Sequence, residues 1–92
     1  MPDSPGVADN LAWIYYQRGA YQPAIGLLQE ALKLQEKNKM PDNADIHYHL
    51  GMAYEKANHP ALARQHLEQV LKINPNYRDA AEIKKQLTGL KS

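Results

Sequence analysis

The feature that most constrains this chain is that it matches itself. Slid along by 39 residues, Leu11 falls on Leu50, Tyr15 on Tyr54, Ala24 on Ala63 and Leu28 on Leu67. Leu32-Lys33 falls on Leu71-Lys72 at the same offset. Within each copy the matched apolar positions recur every four residues, the spacing that puts side chains on one face of an α-helix. One helix-turn-helix unit is therefore used twice. A helical hairpin cannot bury its apolar face alone, so the two copies must stack. The chain has 92 residues, enough for one small domain built in this way.

Pro and Gly punctuate the chain into five predicted helices. Pro stands at 2, 5, 23, 41, 60 and 75, and Gly at 6, 19, 26, 51 and 89. The stretches between them are rich in Ala, Leu, Gln, Glu and Lys, all good helix formers. Only three residues are Val or Thr, and no apolar-polar alternation is sustained, so a sheet is not expected. Residues 1–6 read as a flexible lead-in. The first helix is predicted from about Val7 to Arg18, closed by Gly19 in a left-handed cap. The second runs from near Tyr21 to about Lys39, with Pro23 in its first turn where an amide has no partner. The third follows Asp42 or Asn43 and ends near Ala57. The fourth spans Pro60 to Ile73 with Asn58 or His59 as cap. The fifth follows Asn76 and fades at Gly89. As a domain this is 7–90, with repeats at about 7–39 and 43–75 and a terminal helix at about 77–88.

Composition excludes several function classes. Eleven Lys+Arg against ten Asp+Glu leave a net charge of +1, too little to mark a nucleic-acid or anionic-membrane partner. There is no Cys, hence no disulfide, thiolate metal site or cysteine nucleophile, and no indication of compartment. No apolar run approaches the ~20 residues of a membrane span, and the N-terminus lacks the basic and apolar regions of a signal peptide. The four His do not form a metal site by spacing. His47 and His49, two apart on one helix, point about 200° apart. Asp45 and His49 form a local i, i+4 pair, but no positioned nucleophile or oxyanion device accompanies it, and no glycine-rich phosphate loop exists. Neither an enzyme nor a cofactor is expected.

The repeated unit resembles the tetratricopeptide repeat, whose pattern is Trp-x2-Leu-Gly-x2-Tyr, then Ala-x3-Phe, then Pro. The second copy carries Leu50-Gly51-x2-Tyr54, Ala63-x3-Leu67 and Pro75; the first carries Leu11-Ala12-x2-Tyr15 and Ala24-x3-Leu28. Ala8 and His47 stand at the Trp position, and Glu36 replaces the first terminal Pro. The family period is about 34 residues, so the extra residues around Lys39–Asn43 imply a second helix longer by about a turn and a longer inter-repeat loop. Small residues at Ala12/Gly51 and Ala24/Ala63 let paired helices approach, and Tyr15/Tyr54 with Leu28/Leu67 fill the space around that contact. Tyr77, Ala80, Ile83 or Lys84, Leu87 and Leu90 form a one-sided stripe suited to capping the last hairpin. The resemblance implies an all-α, right-handed solenoid of two hairpins plus a C-terminal capping helix. Leu11-Ala-Trp-Ile-Tyr-Tyr16 and His47-Tyr-His-Leu-Gly51 look like C-terminal repeats of long bacterial members, which implies a fragment of a longer array. Either side of a bacterial inner membrane suits such a chain.

In this family the first helix of each pair lines a concave groove. By resemblance, the groove wall here is Asp9, Trp13, Tyr16 and Gln17 from one repeat, with Asp45, Tyr48, His49, Met52 and Lys56 from the other. Their spacing by threes and fours is that of one helix face. Rings and Met backed by a few polar groups suit a peptide or partner segment, and His49 would make its binding pH-sensitive. The family's basic clamp for C-terminal carboxylates is not expected, because Asp9, Trp13 and His49 occupy positions where that clamp needs Lys and Asn. The competing expectation is a structural end-piece, or self-association through the uncapped first helix, with Trp13 and Tyr48 engaged in packing.

Overall fold

The computed structural model describes residues 4–89. Five helices follow one another: α1 (Pro5–Gln17), α2 (Tyr21–Lys37), α3 (Ala44–Lys56), α4 (Pro60–Ile73) and α5 (Ala80–Gly89). α1 packs on α2 and α3 on α4 as two hairpins; α2 lies against α3 to stack them, and α5 covers α4. The described residues contain no strand.

Three helix ends repeat one device. Gly19 (φ 80°), Lys39 (φ 55°) and Asn58 (φ 65°) are the left-handed residues that close α1, α2 and α3. The amide after each reaches back to the last turn: Ala20 N–H to Tyr15 O at 2.9 Å, Met40 N–H to Gln35 O at 2.8 Å and His59 N–H to Tyr54 O at 2.9 Å. This satisfies carbonyls that otherwise lack partners. Gly19 and Asn58 are themselves 39 residues apart, so the turn chemistry repeats along with the apolar face. Asn58 thus ends α3 instead of capping α4, and His59 takes the α4 cap position without a side-chain bond. At the starts, Ser4 Oγ accepts from Gly6 N–H and Asn43 Oδ1 from Asp45 N–H. The Ser4 cap begins α1 at Pro5, two residues earlier than Val7, and Pro5 is buried. α5 starts at Ala80 rather than at 77, because residues 74–79 form a turn; Tyr77 in that turn is nevertheless buried.

Close approach of the paired helices depends on Gly51. A Cβ added there would sit 2.7 Å from Leu67 Cγ, well inside van der Waals contact. Ala8, Ala12, Ala24, Ile25, Leu28, Ala31, Ile46, Leu50, Ala53, Tyr54 and Ala63 form the main core. Leu67, Val70, Tyr77 and Ile83 form a second cluster beneath α5, with Ala80 and Leu87 packed against it and Lys84 exposed. Leu90, expected in the same stripe, lies outside the described residues. The positions of the family Trp, Ala8 and His47, are both buried. α2 is three residues longer than α4, and residues 38–43 make the longer loop. One expectation fails: Tyr15 and Leu11 are exposed, whereas Tyr54 and Leu50 are buried. The reason is positional, since α3 has α2 on its outer side and, among the described residues, no helix packs on that side of α1.

Candidate partner-binding face

The first helices of the two hairpins bring most of the expected site residues onto one surface. Trp13 stacks on Tyr16 with ring centroids 4.5 Å apart and planes within 4°. Its other neighbour is His49, at 4.2 Å. The row continues from Tyr16 to Tyr21 (5.4 Å), and from His49 through Tyr48 (5.7 Å) to Tyr77 (5.6 Å). Six rings from α2, α1, α3 and the turn before α5 therefore follow one another without a gap. Offset and tilted ring pairs of this kind each contribute about 0.5–1.5 kcal/mol beyond burial, so the row is held in one arrangement. Trp13, Tyr16, Tyr48 and His49 remain half-buried, keeping part of their surface open.

Polar contacts engage both carboxylates of this face, Asp9 buried and Asp45 partly exposed. His49 Nδ1 donates to Asp9 Oδ1 at 2.5 Å, tying α3 to α1. Asp9 is buried, so it supports the face from below instead of lining it, which corrects the expectation for this residue. Asp45 does not pair with His49 either. It accepts the Tyr77 hydroxyl proton and lies 3.4 Å from Arg78 Nη2, while the Arg78 guanidinium sits 5.1 Å over the Tyr77 ring. The helical i, i+4 geometry allowed the Asp45–His49 pair, but each residue finds a better partner across the interface. Met52 Sδ and Glu55 share the Gln86 amide of α5, at 3.3 and 3.4 Å. Gln17 and Lys56 are exposed at the ends of α1 and α3.

Tyr16, Tyr48 and Tyr77 stay protonated across the neutral range. Burial raises the Tyr16 and Tyr48 hydroxyls above the usual phenol range, with Tyr21 and Asp79 respectively adding to the effect. Burial and the hydrogen bond to Asp45 raise Tyr77 further. The face therefore offers ring edges and neutral hydroxyls, and charge only at its rim.

A second polar cluster escaped the sequence-based reading. His47 Nε2 donates to Asp42 Oδ1 at 2.8 Å, and His47 Nδ1 is 2.9 Å from Nδ1 of His66 on α4. With the His47 proton on Nε2, its Nδ1 accepts from His66. Gln35 and Gln69 also donate to Asp42, at 2.5 and 3.3 Å. Burial and the neighbouring His47 push His66 down to about 4. Burial opposes ionisation of Asp42, but the bonds from His47 and Gln35 outweigh it and lower its pKa. An open cavity of about 370 Å³ lies beside the cluster, lined by Leu32, Gln35, Glu36, Met40, Asp42 and His47. The signal was present in the repeat alignment: His47 and His66 stand where the first copy has Ala8 and Leu27. Pairing of two polar replacements across a hairpin is visible only once α3 and α4 are packed. No group of three His, Asp or Glu suited to a metal ion comes together among the described residues.

The tetratricopeptide repeat profile matches residues 10–76, from within α1 to the turn before α5. The chain belongs to that family, and repeats of this kind generally mediate protein–protein interaction. A search of the curated proteins finds no match to the chain. Within the described residues, no helix is long and apolar enough to cross a membrane.

Proposed function

We propose that the chain is a non-catalytic module that binds a peptide or partner segment on its ring-lined face. The observation that carries this reading is Trp13: stacked on Tyr16 and His49, it is fixed in position, yet it stays half-buried. A large ring already immobilised loses little side-chain freedom on binding, and such rings supply most of the energy in many interfaces. Tyr16, Tyr48 and Met52 extend the contact surface, with Gln17, His49 and Lys56 as polar flanks. Asp9 and Asp45 act through the residues they hold.

Affinity capture with the wild type and Trp13→Ala tests this. The variant loses the captured partner. It also loses two stacked ring pairs, with Tyr16 and His49, about 2 kcal/mol together, which lowers the melting temperature by about 8–16 °C in a domain of this size. A collapse of the melt, with capture by any surviving folded protein unchanged, would make Trp13 a core residue and remove the proposal. Tyr48→Ala is a poorer test than the sequence suggests, because Tyr48 packs on Tyr77 and the cluster beneath α5.

A second reading, an end-piece that docks another helical element, is favoured by one observation. α1 carries an uncovered apolar stripe where α3 is covered by α2.

A further inference from the structure

The cavity beside Asp42 has no part in either reading above. It measures about 370 Å³ and lies where the end of α2, the loop of residues 38–43 and α3 meet. It shares no residue with the ring-lined face. Nor does the repeat account for it. Shifted by 39 residues, Gln35, Glu36, Met40 and Asp42 become Asn74, Pro75, Asp79 and Ala81, so the second unit does not reproduce the lining. The extra length of α2 and of the loop after it builds this cavity.

The polar atoms that the lining leaves uncommitted are acceptors. Gln35 is 7% exposed, and its Nε2 donates to Asp42 Oδ1, whereas its Oε1 is buried and accepts no hydrogen bond. Asp42 Oδ2 receives one long bond, from Gln69 at 3.3 Å. Glu36 is exposed and enters none of the ion pairs among the described residues. His47 has both ring nitrogens engaged, by Asp42 and His66. Leu32 and Met40 add aliphatic wall, and no Lys or Arg lines the space. Two carboxylates and a buried, unpartnered amide oxygen beside aliphatic surface call for a ligand with several donors, a positive charge and an apolar stem.

We propose that this cavity takes an arginine side chain from a partner protein. A guanidinium carries five donors in a planar fork, so it can reach Gln35 Oε1 and a carboxylate at once. An ammonium is a compact, strongly hydrated point charge and matches separated acceptors less well. The arginine methylenes lie along Leu32 and Met40 while the head meets Glu36 and Asp42. The volume agrees, since ligand pockets span about 300–1,000 Å³ and one at the small end suits a single side chain. A divalent cation is a poorer occupant, because no group of three His, Asp or Glu comes together among the described residues.

The probe is the tripeptide acetyl-Gly-Arg-Gly-amide, titrated into the full ¹⁵N-labelled chain at neutral pH and low salt. Saturable shifts are expected at the Gln35 side-chain amide and at the Met40 and Asp42 backbone amides, with signals of the ring-lined face unmoved. Glu36→Lys should weaken binding about tenfold or more. Its melting temperature should hold, because the position is exposed and a cation in the last turn of a helix is favoured. Absence of saturable shifts, or equal binding to Glu36→Lys, overturns the proposal. Equal affinity for acetyl-Gly-Lys-Gly-amide would make the cavity a general cation site and overturn the assignment to arginine. Tighter binding of putrescine than of the arginine tripeptide would assign it to a free amine and overturn it as well.

Discussion

At Gly51 the absence of one carbon decides how two helices meet. Leu67 occupies the space a Cβ would need, and Leu67 is fully buried with nowhere to retreat. Gly51→Val should therefore destabilise by about 1–3 kcal/mol through overpacking, which a urea melt will read; an unchanged midpoint would mean that α3 and α4 separate without cost. His66 makes a different prediction. Its folded-state value is about 4 and its ordinary value 6.5. The unfolded chain therefore takes up the proton first as pH falls. Stability is full above about pH 6.5 and declines as pH drops toward 4. His66→Leu, which copies Leu27 of the first repeat, should flatten this part of the stability–pH curve. An identical slope in the variant would place the acid sensitivity elsewhere. What the sequence showed at this scale was position: Ala12, Gly51, Leu28 and Leu67 were legible as small and large partners because the repeat printed them twice. Partners across an interface were not legible. Asp9–His49 and His47–His66 join residues 40 and 19 positions apart, and nothing in local spacing distinguishes them from the rejected Asp45–His49 pair.

Helices are where periodicity, caps and breakers agree most closely with the structure. α4 coincides with its predicted span, bounded by Pro60 and Ile73, because a proline tolerated only in the first turn fixes its start. α1 starts early because Ser4 provides a cap that the two prolines around it obscured. α5 starts late because Asn74, whose side chain accepts from Asn76 N–H at 3.0 Å, holds a turn there. Tyr77 still packs inward from that turn, so the expected stripe survives the loss of its first helical turn. α5 protects Leu67 and Val70 through Ile83, which is fully buried. Ile83→Ala should cost about 2–5 kcal/mol. Chemical denaturation would register this, and a cost near zero would reduce α5 to an ornament on a stack that needs no cover.

Taken whole, the molecule is a stack with unlike ends and a continuous row of rings along its first helices. One end is closed by α5; the other presents Val7, Leu11, Ile14 and Tyr15. The capped last hairpin and uncapped first helix were legible; the unequal burial of Leu11 and Leu50 was not, since the repeat predicts equal burial for equal positions, and burial depends on having a neighbour on each side. The row of rings was legible only as a list of residues on two helices. Its continuity through His49 to Tyr77 arises from stacking the hairpins.

Trp13 is the chain's single tryptophan, so its emission reports on the ring-lined face alone. The most direct measurement is a titration of the wild-type chain with its captured partner segment, followed by tryptophan fluorescence, with a tryptophan-free segment. Saturable quenching or a blue shift of the Trp13 emission, with the same midpoint as binding, is the predicted result. Saturable binding that leaves Trp13 emission unchanged would place the contact elsewhere and contradict the account.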